Sequence, residues 1–266
     1  MKLATQDKDF FPENILEKFE AIKSFGFDAY EIDGKQLINN FTAVKLAIKE
    51  TGITVSTACG GYEGWIGDFD ENKRRQGIKQ ISEILKHLSE IGGNGIVVPA
   101  AWGMFSKRLP PHVPPRSEEE DRIALLNSLS QINRVAMETD TLLYLEPLNR
   151  YEDHMINKLA EGVSLIEEGG FSNVKIIADF YHMNIEEANI SRSIINAKKH
   201  IGHIHLADSH RFQPGDGHLD FLSGFKALKS IGYEEYLAFE CRVLGENQEE
   251  EYKKSVSYIK SLIEKA

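Results

Sequence analysis

A short apolar run followed by an amphipathic helical stretch, repeated to the end of the chain, constrains this sequence more than any single motif. The segments MKLAT (1–5), FDAYEID (27–33), ITVSTA (53–58), GIVVPA (95–100), LLYLE (142–146), VKIIAD (174–179), GHIHLAD (202–208) and YLAFE (236–240) read as strands. They are short, apolar and bounded by turn residues. Between the first two, Pro12 sits where a helical turn would start. Ile15, Leu16, Phe19 and Ile22 follow at helical spacing, and Gly26 stops the run. A second helix is predicted from about Asn40 to Thr51, ended by Gly52. A third carries Ile78, Ile81, Leu85, Leu88 and Ile91 on one face and closes at Gly92 and Gly93. Ser117 with Glu120 forms a capping box for a fourth helix reaching about Glu138, and later helices start near Asn157, Asn184, Asp220 and Asn247.

Eight strand–helix units in 266 residues, with short returns and no linker or composition break, predict a (β/α)8 TIM barrel occupying one domain, 1–266. A doubly wound open sheet is the rival. It usually has fewer strands at this length, and no GxGxxG follows the first strand here.

In such a barrel the chemistry lies where the strands end. Strand five ends on Glu146, six on Asp179 and eight on Glu240, while strand seven carries His203, His205 and Asp208. Side chains alternate along a strand, so Tyr144 and Glu146 share a face, as do His203 and His205, and Ala238 and Glu240. Four consecutive strands therefore aim Glu146, Asp179, His205 and Glu240 at one point. Three carboxylates there repel one another and are costly to desolvate, and a divalent cation offsets that cost. Three oxygen ligands and an imidazole suit Mn²⁺, and also Mg²⁺, Co²⁺ or Zn²⁺, with no organic cofactor required.

The other reactive residue types have plainer readings. His203 lies deeper and is expected to be a hydrogen-bonded support. His218, after strand seven, either faces substrate or caps the following helix. His87, His112, His154, His200 and His210 are expected in solvent. Cys59 and Cys241 have no histidine pairing in view and are weak nucleophile candidates, with Cys241 expected to point away from the barrel axis. Two cysteines give no disulfide framework and favour a reduced, cytoplasmic setting. The formal charge of −10 disfavours nucleic acid as a partner. No apolar run approaches the roughly 20 residues of a membrane span, and MKLATQDKDF does not read as a signal peptide.

The segments LEPLNRYEDH (145–154), ADFYHMN (178–184), HIHLADSHRFQPGDGH (203–218) and FECR (239–242) resemble the sugar isomerase/epimerase branch of the xylose-isomerase-like barrels. The likeness is nearest to ketose 3-epimerases of the D-tagatose 3-epimerase type. The resemblance implies that Glu146, Asp179, His205 and Glu240 bind the metal and that Glu146 and Glu240 are the catalytic acid/base pair. It further implies that Glu152, His182 and Arg211 contact substrate near its C1–C2 oxygens, and that the enzyme is a homodimer or homotetramer. The expected activity is that of a metal-dependent ketose 3-epimerase or sugar isomerase, acting on a small sugar or hydroxy-ketone. Carboxylates would move protons through a metal-stabilised enediolate.

Hydroxypyruvate isomerase, with Arg211 meeting a carboxylate, and an inosose dehydratase-type lyase are the nearest alternatives on such a scaffold. An endonuclease IV-type repair enzyme is disfavoured by the acidic charge, and a non-enzymatic sugar binder by the complete acid/base pair. The loop after strand three, CGGYEGWIGDFDEN (59–72), has the glycines and the Trp65 of a lid. The proline-rich loop over 101–117 reads equally as a rim wall or a subunit contact.

Overall fold

The computed structural model describes residues 1–105 and 113–266. Its strands, all parallel, are β1 (Lys2–Thr5), β2 (Ala29–Ile32), β3 (Thr54–Cys59), β4 (Gly95–Pro99), β5 (Leu142–Glu146), β6 (Val174–Asp179), β7 (Ile201–Leu206) and β8 (Tyr236–Phe239). Each pairs with the next, and β8 pairs with β1, closing the barrel. The (β/α)8 expectation is met.

The alternation of strand side chains divides the core in two. Outward-facing Ile32, Val55, Ile96, Val98, Leu143, Leu145, Ile176, Ile204, Leu206 and Leu237 join one continuous cluster with the apolar stripes of the helices. Fully burying each such side chain stabilises the fold by roughly 1.5–3 kcal/mol. The barrel interior is separate and small. Ala4, Ala29 and Ala238 fill one side, and Val97, Tyr144 and Ile177 fill the other. The Tyr144 ring fits because its neighbours lack side chains. A Cβ at Gly95 would lie 3.0 Å from it and a Cβ at Gly202 2.7 Å. Above this floor, toward the C-terminal strand ends, the interior turns polar.

The helices are α1 (Ile15–Ser24), α2 (Gly34–Asn39), α3 (Phe41–Thr51), α4 (Glu71–Glu90), α5 (Glu118–Glu138), α6 (Leu159–Gly169), α7 (Phe180–Glu186), α8 (Ile190–Ala197), α9 (Phe221–Ser230) and α10 (Gln248–Lys265). Two differ from the periodicity. The helix predicted from Asn40 is preceded by α2, which starts early because the Asp33 side chain accepts from Gln36 N at 2.9 Å. The helix expected near Asn184 is instead two. Asp179 caps α7 at once, accepting from His182 N at 3.0 Å, and Asn189 then caps α8. The capping box of Ser117 and Glu120 forms as expected.

Helix α9 packs close to α7 through Gly224, where a Cβ would fall 2.3 Å from Cε1 of Phe180. Phe180 is fully buried and stacked on Phe221, so its ring has no room to yield. Gly224→Ala gains up to about 1 kcal/mol of helix propensity, but overpacking costs about 1–3 kcal/mol. We expect a net loss of stability, read as a lower denaturation midpoint; an unchanged or raised midpoint would show that α9 shifts freely.

Candidate active site

The register fixes which side chains meet. Pro99 pairs with Glu146 and Asp179 with His205, while Glu240 N donates to Leu206 O at 3.1 Å. One ligand atom from each of Glu146, Asp179, His205 and Glu240 lies within 4.8 Å of the others. His205 is the centre, fully buried. Its Nδ1 lies 2.7 Å from Glu240 Oε2, 3.2 Å from Glu146 Oε1 and 3.8 Å from Asp179 Oδ2. The residues singled out by the strand ends are thus brought together, and their donor set fits a divalent cation: hard oxygens and one imidazole.

Arg211 completes the charge pattern. Its guanidinium donates to Asp179 Oδ2 at 2.6 Å and to Glu240 Oε2, the same oxygens that face His205. The Tyr181 ring lies under it, 4.8 Å from the guanidinium carbon. Arg211 holds φ at +67°, an uncommon backbone conformation for a side chain of this size. The strain is offset by the fixed loop around it. Arg211 N donates to Asp208 O, and Arg242 N donates to Arg211 O, both at 2.9 Å.

These contacts divide the two candidate acid/base groups. Burial pushes the Glu146 carboxyl up from its ordinary value, and the nearby Glu240 charge adds to this. Burial acts the same way on Glu240, but Arg211 and His205 outweigh it and hold Glu240 below the usual carboxylate range. Burial disfavours the His205 imidazolium, yet the charges of Glu31 and Glu240 hold its pKa well above the ordinary value. Cys59 faces the same cluster. Burial, with Glu240 and Glu31, raises its thiol well above the usual value, so it is no nucleophile at neutral pH. Cys241 packs in the outer core, where burial pushes it up to about 11.

His182 and Glu152 lie beside the cluster and are joined by Asn149. The Asn149 backbone N–H donates to His182 Nδ1 at 3.1 Å, which places the ring proton on Nε2, 3.9 Å from Asp179 Oδ2. Asn149 Nδ2 also donates to Glu152 Oε1 at 2.8 Å, and Trp102 Nε1 donates to Glu152 Oε2 at 3.0 Å. Trp102 stands exposed at the rim beside Trp65, which meets Tyr62 in turn. The glycine-rich loop does not stand away as a lid. A Cβ at Gly61 would meet Lys35 N at 2.2 Å and one at Gly64 Lys73 O at 2.2 Å, so the loop lies directly on α2 and α4.

Two residues escaped the sequence reading. Asn149 carries no signal beyond its place in a loop. Glu31 does carry one. It is the second-to-last residue of β2, on the face shared with Ala29, as His205 is the second-to-last residue of β7. It is buried and accepts from both His203 and His205. His203 is the buried support expected. His210 and His218 are exposed. His154 is a correction. Expected in solvent, its side chain is only 9% exposed, with Nε2 3.0 Å from Asp121 Oδ2 and its ring near Phe69 and Phe105. The cause is Asp121, which faces inward from the first turn of α5 and draws His154 and Arg116 to it. His112 lies outside the described residues.

With this geometry in place, comparison with known proteins places the chain. The profile of the xylose isomerase-like TIM barrel family matches residues 19–262. The chain belongs to that family. It is 53% identical over 261 residues to the 3-dehydro-D-guloside 4-epimerase of Escherichia coli (strain K12), covering 98% of this chain and 100% of that protein. It is 30% identical over 220 residues to the L-ribulose 3-epimerase of Mesorhizobium japonicum, covering 81% of this chain and 71% of that one. The crystal structure of 3-keto-D-glucoside 4-epimerase from E. coli, in its apo form, superposes with a TM-score of 0.96 at 53% identity, covering 98% and 99% of the two chains. Among the described residues, no helix is long and apolar enough to cross a membrane.

Two outcomes follow. A divalent cation binding at Nδ1 has to displace the His205 proton, so affinity should fall as pH falls. Calorimetry of Mn²⁺ binding in buffers of different ionisation enthalpy should read about one proton released per ion; no release would contradict the protonated imidazole. The Arg211 loop is tied by the buried Asp208, which accepts from Ser209 N and Gly215 N at 2.8 Å and Leu219 N at 3.1 Å. Burial opposes its charge, but these N–H groups hold its pKa below the ordinary value. The stabilisation is therefore complete above the unfolded pKa of about 3.9 and is lost as pH falls through the folded value. Asp208→Ala should lose roughly 2–4 kcal/mol at neutral pH by stranding buried donors, and the gap to wild type should shrink below about pH 4. Denaturant titrations at both pH values check this.

Proposed function

We propose that this protein is a metal-dependent sugar epimerase that inverts the carbon next to a ketone, and that its substrate is a 3-keto sugar held in a glycoside, inverted at C4. The observation that carries the chemistry is the pair Glu146 and Glu240. They reach the same His205 nitrogen from β5 and from just past β8, strands separated by β6 and β7 around the barrel. Two carboxylates so placed can take a proton from one face of a carbon and return one to the other.

A hydrogen next to a carbonyl is too weakly acidic to leave unaided. A divalent cation held by Glu146, Asp179, His205 and Glu240 would supply Lewis-acid stabilisation of the charge that develops on the carbonyl oxygen. Three oxygens and an imidazole favour Mn²⁺ as that cation. Glu146 and Glu240 exchange the proton. The epimer that enters decides which of them acts first as base. Arg211 donates to Asp179 and Glu240, and the Nε2–H of His182 points to the Asp179 side, so both can hold hydroxyl or carbonyl oxygens beside the reacting carbon. Glu152, fixed by Asn149 and Trp102, serves as an acceptor at the rim.

The choice of carbon rests on similarity. A ketone at C2 acidifies C3, and a ketone at C3 acidifies C4, so the same site serves either inversion. The 53% identity with the 3-dehydro-D-guloside 4-epimerase, over nearly the whole of both chains, favours C4. Inversion of a free ketose at C3 is the second reading, supported by the likeness to the L-ribulose 3-epimerase.

Enzyme stripped with chelator and reloaded with Mn²⁺ is incubated with 3-keto glucosides and a panel of ketoses in D₂O. We expect deuterium at C4 of the keto glycosides together with the epimer, and loss of both on stripping. Deuterium only at C3 of free ketoses would select the second reading, and exchange in neither class would reject the epimerase. Glu146→Gln and Glu240→Gln should each lower kcat by roughly 100- to 10,000-fold while sugar still binds. Turnover retained in either variant would remove that residue from the proton path.

A further inference from the structure

We propose that Glu31 is the positioning residue of this site: it selects Nδ1 of His205 as the atom presented to the cation and holds the ring there. The inference rests on the metal reading above and deepens it.

Glu31 is 1% exposed and has all four of its acceptor positions filled. Oε1 accepts from His205 Nε2 at 2.8 Å and Gln6 Nε2 at 3.0 Å. Oε2 accepts from Thr57 Oγ1 at 2.6 Å and His203 Nε2 at 2.8 Å. The donors come from the end of β1, from β3 and from β7, so one carboxylate ties three other strands together across the barrel mouth. An ionised carboxylate only accepts. The protons in these bonds therefore belong to the rings, and His203 and His205 both carry hydrogen on Nε2.

That assignment decides the other nitrogen. With Nε2–H committed to Glu31, only Nδ1 of His205 can give up its proton and offer a lone pair to a cation, and Nδ1 is the atom that faces Glu146, Asp179 and Glu240. Ring rotation would break the Glu31 bond and place a C–H edge before the carboxylates. A carboxylate behind a ligating imidazole also raises its basicity and tightens the metal bond. Glu31 touches neither substrate nor cation in this arrangement; it acts through His205.

Glu31, His203 and His205 also lie close enough together to hold an ion themselves. The geometry argues against a second cation there. Every acceptor position of Glu31 faces a donor at hydrogen-bond distance, and both imidazole nitrogens that point at it carry protons.

Two measurements test the proposal. Mn²⁺ is titrated calorimetrically into chelator-stripped wild type, Glu31→Gln and Glu31→Asp, with circular dichroism melts to establish that each is folded. We expect one ion per chain in wild type, a Kd raised roughly 10- to 100-fold in Glu31→Gln, and partial recovery in Glu31→Asp, which restores the charge. Separately, wild type with ¹⁵N-labelled histidine is loaded with Zn²⁺ and read by NMR, which requires no variant to fold. We expect Nε2 of His205 protonated and Nδ1 carrying the metal shift. Folded Glu31→Gln that binds Mn²⁺ as tightly as wild type, an ion on Nε2, or two ions per chain overturns the role of Glu31 while leaving a metal site standing. Wild type that binds no ion overturns the metal reading and this inference together.

Discussion

Four carboxylates, Glu31, Glu146, Asp179 and Glu240, crowd around one buried imidazole at the mouth of the barrel, and the rest of the site is arranged to make that crowding tolerable. Like charges this close raise each other's proton affinity and resist burial. His205 meets one carboxylate with Nε2 and the others with Nδ1. Arg211 places a fixed positive charge between Asp179 and Glu240. The remaining excess of negative charge suits the divalent cation proposed for this site.

The barrel supplies what this needs, because its strands end in a ring around a common axis. The missing side chains of Gly95 and Gly202 leave room for the broad Tyr144, whose ring lies against His203 with centroids 5.3 Å apart. His203 thus links the apolar floor to Glu31, and Glu31 links it to His205. The polar cluster stands on packed side chains and is held from below as well as from the rim. Arg211 is held differently. Its loop is pinned by backbone N–H groups on Asp208, and its left-handed backbone turns the side chain back over the mouth. A residue held at positive φ persists only where its surroundings over-determine it, and here two ion pairs and two backbone bonds do so.

Much of this was legible along the chain. Strand five shows why: Tyr144 and Glu146 share a face, and the polar one comes last, where the barrel opens. The same alternation placed His205 ahead of His203 and gave Asp179 and Glu240 their direction. Glu31 carries the same signature near the end of β2, but it lies more than a hundred residues from Glu146 and outside the segments that carry the family resemblance. Asn149 was not legible. Its role depends on His182 lying one strand away, and nothing in PLNRYE marks which polar residue turns inward. His154 failed for a similar reason. A histidine in a loop reads as solvated unless its partner is known, and Asp121 lies 33 positions away. The helix after β6 failed through local chemistry, because Asp179 both ends a strand and caps a helix, so α7 begins without a loop.

By itself the sequence determined the period: strand, helix, glycine stop, repeated until the barrel closes, with apolar residues facing the helices and polar ones at the strand ends. That follows because the two-residue alternation of a strand and the helical stripe are local properties. Only the tertiary structure decided the electrostatics. Which nitrogen of His205 faces the carboxylates, which carboxylates Arg211 bridges, and why Glu146 and Glu240 are shifted in opposite directions all depend on distances between strands far apart in the chain. Charge interactions in a buried mouth vary steeply with those distances, and no local pattern encodes them.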